Sequence, residues 1–272
     1  MVSDDITIER IDAFCDAVPR QRARAEQIGP LVLFVPVGAG HPYYARPRTG
    51  TRGPVSAADV QSVRARQREL LIPESFEWIE QAAPETAAAA AAAGLLVHKH
   101  PLLVLGELAP PPALPPRVSA GVLGADDPEV LPAWAVPAIA FGHPGTAVGT
   151  ATVTERDKIT ASHDPLVVAA LRERLRSGHS VLAAARGPNG PLGAGSYQLA
   201  GDVAEITGVG VLPASRRRGL GAAITHALAV HALAHGAATV FLSASDAAVA
   251  RIYARLGFHE VGTSMIAELP GA

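Results

Sequence analysis

Three consecutive arginines and two spaced glycines, Arg216-Arg217-Arg218-Gly219-Leu220-Gly221, are the residues of this chain whose types and spacing best suit chemistry. Glycine removes the side chain where the backbone must turn, so successive N–H groups can point at one anion. A helix starting there adds the positive end of its dipole, and the arginines add formal charge. Such a concentration is unfavourable unless an anion is present, which sets a phosphate cradle ahead of an ordinary solvated turn. The backbone N–H groups of about Arg217 to Ala222 are expected to do most of the holding. The spacing excludes two common nucleotide loops. A Walker loop needs Gly-Lys-Ser/Thr, but Ala222 and Ala223 follow Gly221. A dinucleotide fingerprint needs a small residue where Ile224 stands.

The cradle needs a strand before it and a helix after it. Ile206 to Leu212 reads as an apolar strand that passes through Pro213 into the turn, and a helix is predicted from about Arg218 to His235. Upstream, Ser162 or Asp164 is expected to cap a helix. Ser180 to Arg186 and Leu192 to Leu199 read as a hairpin around Pro188-Asn-Gly190, and Val203 to Leu212 follows as the next strand. Downstream come a strand at 239–243, a helix at 246–256, Gly257, and a last strand within 258–269.

With those flanks the motif has a recognisable form. Arg216, Gly219 and Gly221 fill the pattern Arg/Gln-x-x-Gly-x-Gly/Ala, preceded by Val211-Leu-Pro213. Further on, Asp246-Ala-Ala-Val-Ala-Arg-Ile-Tyr253-Ala-Arg-Leu-Gly257-Phe258 is similar to Asn-x-x-Ala-x-x-Leu-Tyr-x-x-x-Gly-Phe, with Tyr253, Gly257 and Phe258 in register and Val249 and Ile252 as departures. Over roughly residues 160–270 the chain resembles the GNAT N-acetyltransferases. The resemblance implies an α/β fold with a mixed central sheet flanked by helices, and acetyl-coenzyme A as donor. It implies transfer of the acetyl group to a primary amine by direct attack in a ternary complex, with no metal. Val209, Gly210 and Val211 would pair backbone groups with the pantetheine arm. Arg216, Arg217, Arg218, Gly219, Leu220, Gly221 and Ala222 would hold the pyrophosphate.

The remaining candidates carry two readings each. Tyr253 is a core tyrosine, or the general acid that returns a proton to the departing thiolate. Glu205 is a solvent-facing strand carboxylate, or the base that deprotonates the amine directly or through water. Asp246 stands where the family carries Asn; an ionised carboxylate only accepts hydrogen bonds, so a helix cap fits it better than a donor role. A catalytically decayed protein that binds or senses acyl-coenzyme A is the alternative to an enzyme.

Composition narrows the field. The 272 residues are 49% hydrophobic and 18% charged, enough for a sizeable core and unlike a disordered chain. A net charge of −2 gives no whole-protein attraction to nucleic acid or to an acidic membrane, and the resemblance implies a small-molecule or peptide amine as the partner. Cys15 is the only cysteine, so no intramolecular disulfide can form; a half-buried helix position is expected for it. The acidic start, Met1-Val-Ser-Asp-Asp, lacks an apolar signal core, and Ala87 to Ala93 is too short to span a membrane; a cytoplasmic protein is expected. The oligomeric state is left open.

The N-terminal half carries an echo of the C-terminal one. A helix at 6–18, a strand at 31–35, a strand edge at 41–46 and a Ser56-capped helix to about Leu71 precede a strand at 75–79. An alanine helix from Pro84 to Ala93, Gly94, and a strand from Leu95 to Leu108 interrupted or bulged at Pro101 follow. Helix, strand, helix, glycine, strand therefore occurs twice, which predicts a tandem of two GNAT-like halves whose first copy lacks the arginine–glycine loop. The run Ala109-Pro-Pro-Pro-Ala-Leu-Pro-Pro116 reads as a stiff linker, placing a degenerate domain at 1–116 and the catalytic domain at 117–272. Val118 to Leu123 is expected as a strand, and Pro132 and Pro137 leave the stretch to Ala140 without an assignment. Other constellations carry nothing: Ser162-His163-Asp164 is too local to converge, and His231/His235 and His98/His100 lack a third metal ligand.

Overall fold

The computed structural model describes residues 4–37, 43–50 and 53–271. In chain order its elements are α1 (Asp4–Arg20), β1 (Ala23–Ile28), β2 (Leu31–Pro36), β3 (Ala45–Pro47), α2 (Ala57–Glu69), β4 (Phe76–Ile79), α3 (Thr86–Ala92) and β5 (Leu96–Leu105). They continue with β6 (Ser119–Val122), α4 (Val130–Phe141), α5 (Val153–Ala161), α6 (Pro165–Arg176), β7 (Ser180–Gly187), β8 (Gly190–Ala200), β9 (Val203–Val211), a 3-10 turn Pro213–Ser215, α7 (Leu220–Ala234), β10 (Thr239–Ser243), α8 (Ala247–Ala254) and β11 (Phe258–Glu268). This is the mixed α/β architecture expected from the resemblance. Of the strand edge expected at 41–46, His41 and Pro42 lie outside the described residues.

The chain divides into two compact units. The first holds the residues up to Leu103 with Ser243–Asp246 and the chain from Glu260 on; the second holds Val104–Leu242 and Ala247–His259. This division does not fall at residue 116. In the first unit the strand order is β1-β2-β3-β4-β11-β5, and β11 runs antiparallel to β4 with Met265 opposite Trp78. Its core joins Leu31, Leu33, Val60, Val63, Phe76 and Trp78 to Met265 and Ala267. The last strand of the chain thus completes a core built mainly by the first hundred residues. In the second unit the segment after β5 runs beside the end of α8: Gly106 N–H donates to Gly257 O at 3.0 Å and Ala109 N–H to Leu256 O at 3.1 Å. Gly257 has φ +97°, and a Cβ there would run into the Glu107 carbonyl.

The second unit orders its strands β10-β9-β8-β7-β6, with β10 parallel to β9 and the rest antiparallel. Helices cover opposite faces of β8 and β9. On one face Ile224 of α7 lies so near Gly193 and Gly195 that an added Cβ would meet its side chain at 2.9 and 3.2 Å. On the other, a Cβ on Gly210 would sit 2.8 Å from Ala140 of α4. Val130, Ala133, Val136 and Ile139 of α4 close the core there over Leu182, Ala184 and Ala194.

Two helices escaped the sequence reading. α4 forms despite Pro132 and Pro137. Pro132 falls in its first turn, where a backbone N–H has no helical acceptor, so only Pro137 removes a bond. α5 opens with a capping box, Thr152 Oγ1 accepting from Thr154 N–H and Glu155 accepting from Thr152 N–H at 2.7 Å. The Thr152-x-x-Glu155 spacing was a readable signal for it. Of the two expectations at Pro101, the interruption does not occur: β5 runs as one strand through Pro101, whose carbonyl accepts from Ala244 N–H at 2.9 Å. Among the described residues no helix is long and apolar enough to cross a membrane.

Candidate active site

β9 leads into the cradle and is deformed on the way. Ser196 faces Thr207 and Ala194 faces Gly210, so Gly208 and Val209 together stand opposite Gly195. Gly208 takes φ +66° to make this bulge. A bulge bends its strand and increases its twist. Pairing of β9 with β10 stops at Phe241↔Glu205, so the far edge of Ile206 to Val211 has no strand partner among the described residues. The end of β9 that runs into the arginine–glycine turn therefore offers free backbone groups on one side. Val209 and Val211 send their side chains toward Gly221, within 4.0 and 3.8 Å of a Cβ built there.

The turn itself is held in an unusual backbone. Arg217 has φ +64° and Gly219 φ +76°, and Gly219 is the N-cap of α7 without any side-chain cap. Ala223 N–H closes the first helical turn onto Gly219 O at 3.0 Å. The N–H groups of Arg217 to Ala222 find no acceptor among the described residues. Gly221 has open room, since an added Cβ would meet nothing closer than 3.8 Å. A glycine in the first turn of a helix costs stability relative to alanine, so packing alone does not account for it.

The three arginines separate in role. Arg217 and Arg218 are exposed and pair with no carboxylate among the described residues. Arg216 is half-buried and turned back onto the protein. Its guanidinium donates to Val211 O at 3.4 Å, Ala147 O at 3.2 Å, Ala140 O at 2.9 Å and His143 O at 2.6 Å. It ties the turn to the end of α4 and the segment after it. Two backbone bonds reinforce that tie, Gly149 N–H to Pro213 O at 3.1 Å and Ala214 N–H to Ala151 O at 3.0 Å. Arg216 shapes the cradle, and its charge is spread over four carbonyls.

Glu205 is half-buried on β9 with no partner for its carboxylate among the described residues, and burial pushes it up to about 7. Tyr253 is buried on α8 with its ring edge-on to Phe258 at 6.2 Å. Its hydroxyl hydrogen-bonds to no described residue, and burial pushes it up to about 12. Asp246 is exposed just before α8 and accepts from Ser245 Oγ at 3.4 Å.

Groups set aside at the sequence level are structural. Asp164 caps α6 by accepting from Leu166 N–H at 2.7 Å, Ser162 Oγ donates to Ile159 O, and His163 packs on Trp134. The rings of His231 and His235 stack at 3.8 Å; His231 is hydrogen-bonded to the Tyr197 hydroxyl at 2.9 Å, and His235 donates to His231 O. Among the described residues no group of three His, Cys, Asp or Glu could hold a metal ion.

The family model described as Acetyltransferase (GNAT) domain matches residues 150–268. Among solved structures, a GCN5-related N-acetyltransferase from Kribbella flavida is similar with TM-score 0.67 and 24% identity, over 97% of this chain and 96% of that one. A putative GNAT-family acetyltransferase from Novosphingobium aromaticivorans gives 0.51 and 18%, over 91% and 90%. A tandem GNAT protein from the clavulanic acid biosynthesis pathway gives 0.53 and 19%, over 89% and 79%. At these identities the likeness shows the fold. None of the curated proteins matches.

Proposed function

With residues 150–268 a domain of the GNAT acetyltransferase family, whose members transfer acyl groups from acyl-coenzyme A, we propose that this protein is an N-acetyltransferase using acetyl-coenzyme A and a primary amine. One observation carries the reading. The uncapped start of α7 presents a run of N–H groups without acceptors, two left-handed residues and two unpaired arginines, all beside the free edge of β9. Bound acetyl-coenzyme A would supply an activated acyl carbonyl and a thiol leaving group.

The residues divide the work. Backbone N–H groups of Arg217 to Ala222 hold the pyrophosphate, Arg217 and Arg218 neutralise it, and Arg216 keeps the turn in shape through its carbonyls. Val209, Gly210 and Val211 offer the free strand edge to the pantetheine arm, and an N–H near Val211 polarises the acyl carbonyl. Glu205, raised to about 7, takes a proton from the incoming ammonium near neutral pH. Tyr253 stays protonated to high pH and returns a proton at the thiol sulfur. Asp246 is read as the cap at the entry to α8. The N-terminal unit is read as a GNAT-like copy without a cradle, so one site per chain is expected.

Titration calorimetry with acetyl-coenzyme A should give one site per chain. Thiol release with a mixed amine panel should fall about 10²-fold or more in Tyr253→Phe, with donor affinity unchanged. Binding without turnover by the wild type would leave a protein that only binds or senses acyl-coenzyme A. An absence of binding would remove the enzyme reading.

A further inference from the structure

One face of the second unit's sheet changes character along its length. Beneath α4 it is apolar, with Leu182, Ala184 and Ala194 in the core. A residue pair further along it turns polar. The register puts Ser180, Gln198 and Glu205 in one row across β7, β8 and β9, and Ser196 opposite Thr207 in the next. Opposed residues of neighbouring strands share a face with Cβ atoms about 5 Å apart, so these five side chains make one patch about 10 Å wide.

Ser180 is buried and the other four are half-buried. None of the five side chains makes a hydrogen bond or ion pair with a described residue. Several buried polar groups elsewhere find protein partners, Thr225 donating to Gly221 O at 3.0 Å and Arg156 to Pro191 O at 2.6 Å. Single atoms such as Arg46 Nε, Gln67 Oε1 and Trp78 Nε1 are left without one among the described residues, each on a different element, β3, α2 and β4. Polar side chains set side by side on one sheet face without protein partners keep their hydrogen-bonding capacity for an outside molecule. Glu205 belongs to this same patch.

We infer that this patch binds the acyl acceptor, and that the acceptor is a hydrophilic amine carrying hydroxyl or amide groups besides its nitrogen. The inference rests on the acyltransferase reading above. Gln198 offers both a donor and an acceptor, and the hydroxyls of Ser196, Thr207 and Ser180 offer the same. A ligand with hydroxyls or carbonyls around its amine meets these groups while placing the nitrogen at Glu205. An alkyl or aryl amine of equal basicity would leave them all unpaired, which a site of this kind rejects.

The test is calorimetric and needs no turnover. The full chain is first saturated with coenzyme A, then titrated with glucosamine and glycinamide and, in parallel, with cyclohexylamine and phenethylamine. The hydrophilic pair should bind at least tenfold more tightly. Gln198→Ala and Thr207→Val should each weaken that pair about 5- to 30-fold, with coenzyme A affinity within twofold of wild type, and Thr207→Ser should restore it. Equal binding of the two classes, no binding of the hydrophilic pair, or an equal loss for cyclohexylamine in the variants would overturn the inference. Failure of coenzyme A to bind would instead remove the acyltransferase reading beneath it.

Discussion

Two strand-to-helix junctions, β3 into α2 and β9 into α7, carry the same kinds of element and solve the helix start in opposite ways. α2 supplies its own cap. Ser56 Oγ accepts from Asp59 N–H at 3.2 Å, and Asp59 accepts from Ser56 N–H at 2.9 Å, so an internal carboxylate occupies the positive end of the helix. α7 has no side-chain cap, no acid in its first turn, and two unpaired arginines. The preceding strands differ likewise. β3 carries the buried Arg46, paired with Asp12, whereas β9 carries Glu205 with no partner among the described residues. One junction is electrostatically complete, and the other is left incomplete where a ligand can complete it.

The sharpest way to break this contrast is to fill or self-cap the α7 start. Gly221→Phe should abolish acetyl-coenzyme A binding in calorimetry, while Ala58→Phe at the matching place in α2 should leave it untouched. Ala222→Asp, which puts an acid where α2 has Asp59, should weaken binding about 10²-fold through like-charge repulsion and a competing cap. Retained affinity in both α7 variants would end the cradle argument.

A second contrast lies in the strand charges. Glu205 is raised above the usual carboxylate range, so its ionised form is disfavoured in the fold. The base must be ionised, so kcat/KM should rise with pH through about 7. Glu205→Gln should flatten that rise and lower the rate about 10²-fold or more. Stability runs the other way. The wild type loses stability relative to the variant as pH climbs from about 4.3 to 7, a widening gap in Tm that checks the shift independently of activity. The smallest effect belongs to α2. Ser56→Ala should cost about 1 kcal/mol in denaturant unfolding and leave donor binding within twofold of wild type.

The amino-acid sequence by itself made the strand–turn–helix around the arginines and glycines legible, because its parts are local: glycines at fixed spacing, arginines beside them, an apolar strand before and a helix after. The order of strands and helices around it, and the repetition of helix, strand, helix, glycine and strand in both halves, were legible for the same reason. Four decisions belong to the tertiary structure. Arg216 gives no sign in the sequence of its carbonyl partners at Ala140, His143 and Ala147, some seventy residues away, which only the fold brings to it. α4 is hidden by its prolines, since the sheet face that stabilises it is assembled from β7 to β9 far along the chain. Ser180, Ser196, Gln198, Glu205 and Thr207 show alternation in their separate strands, but only the pairing register makes them one unpaired patch. The exchange of ends, with β11 completing the first unit, is likewise invisible to a local pattern. Local geometry follows from neighbouring residues, whereas partners distant in the chain are chosen by the packing of whole elements.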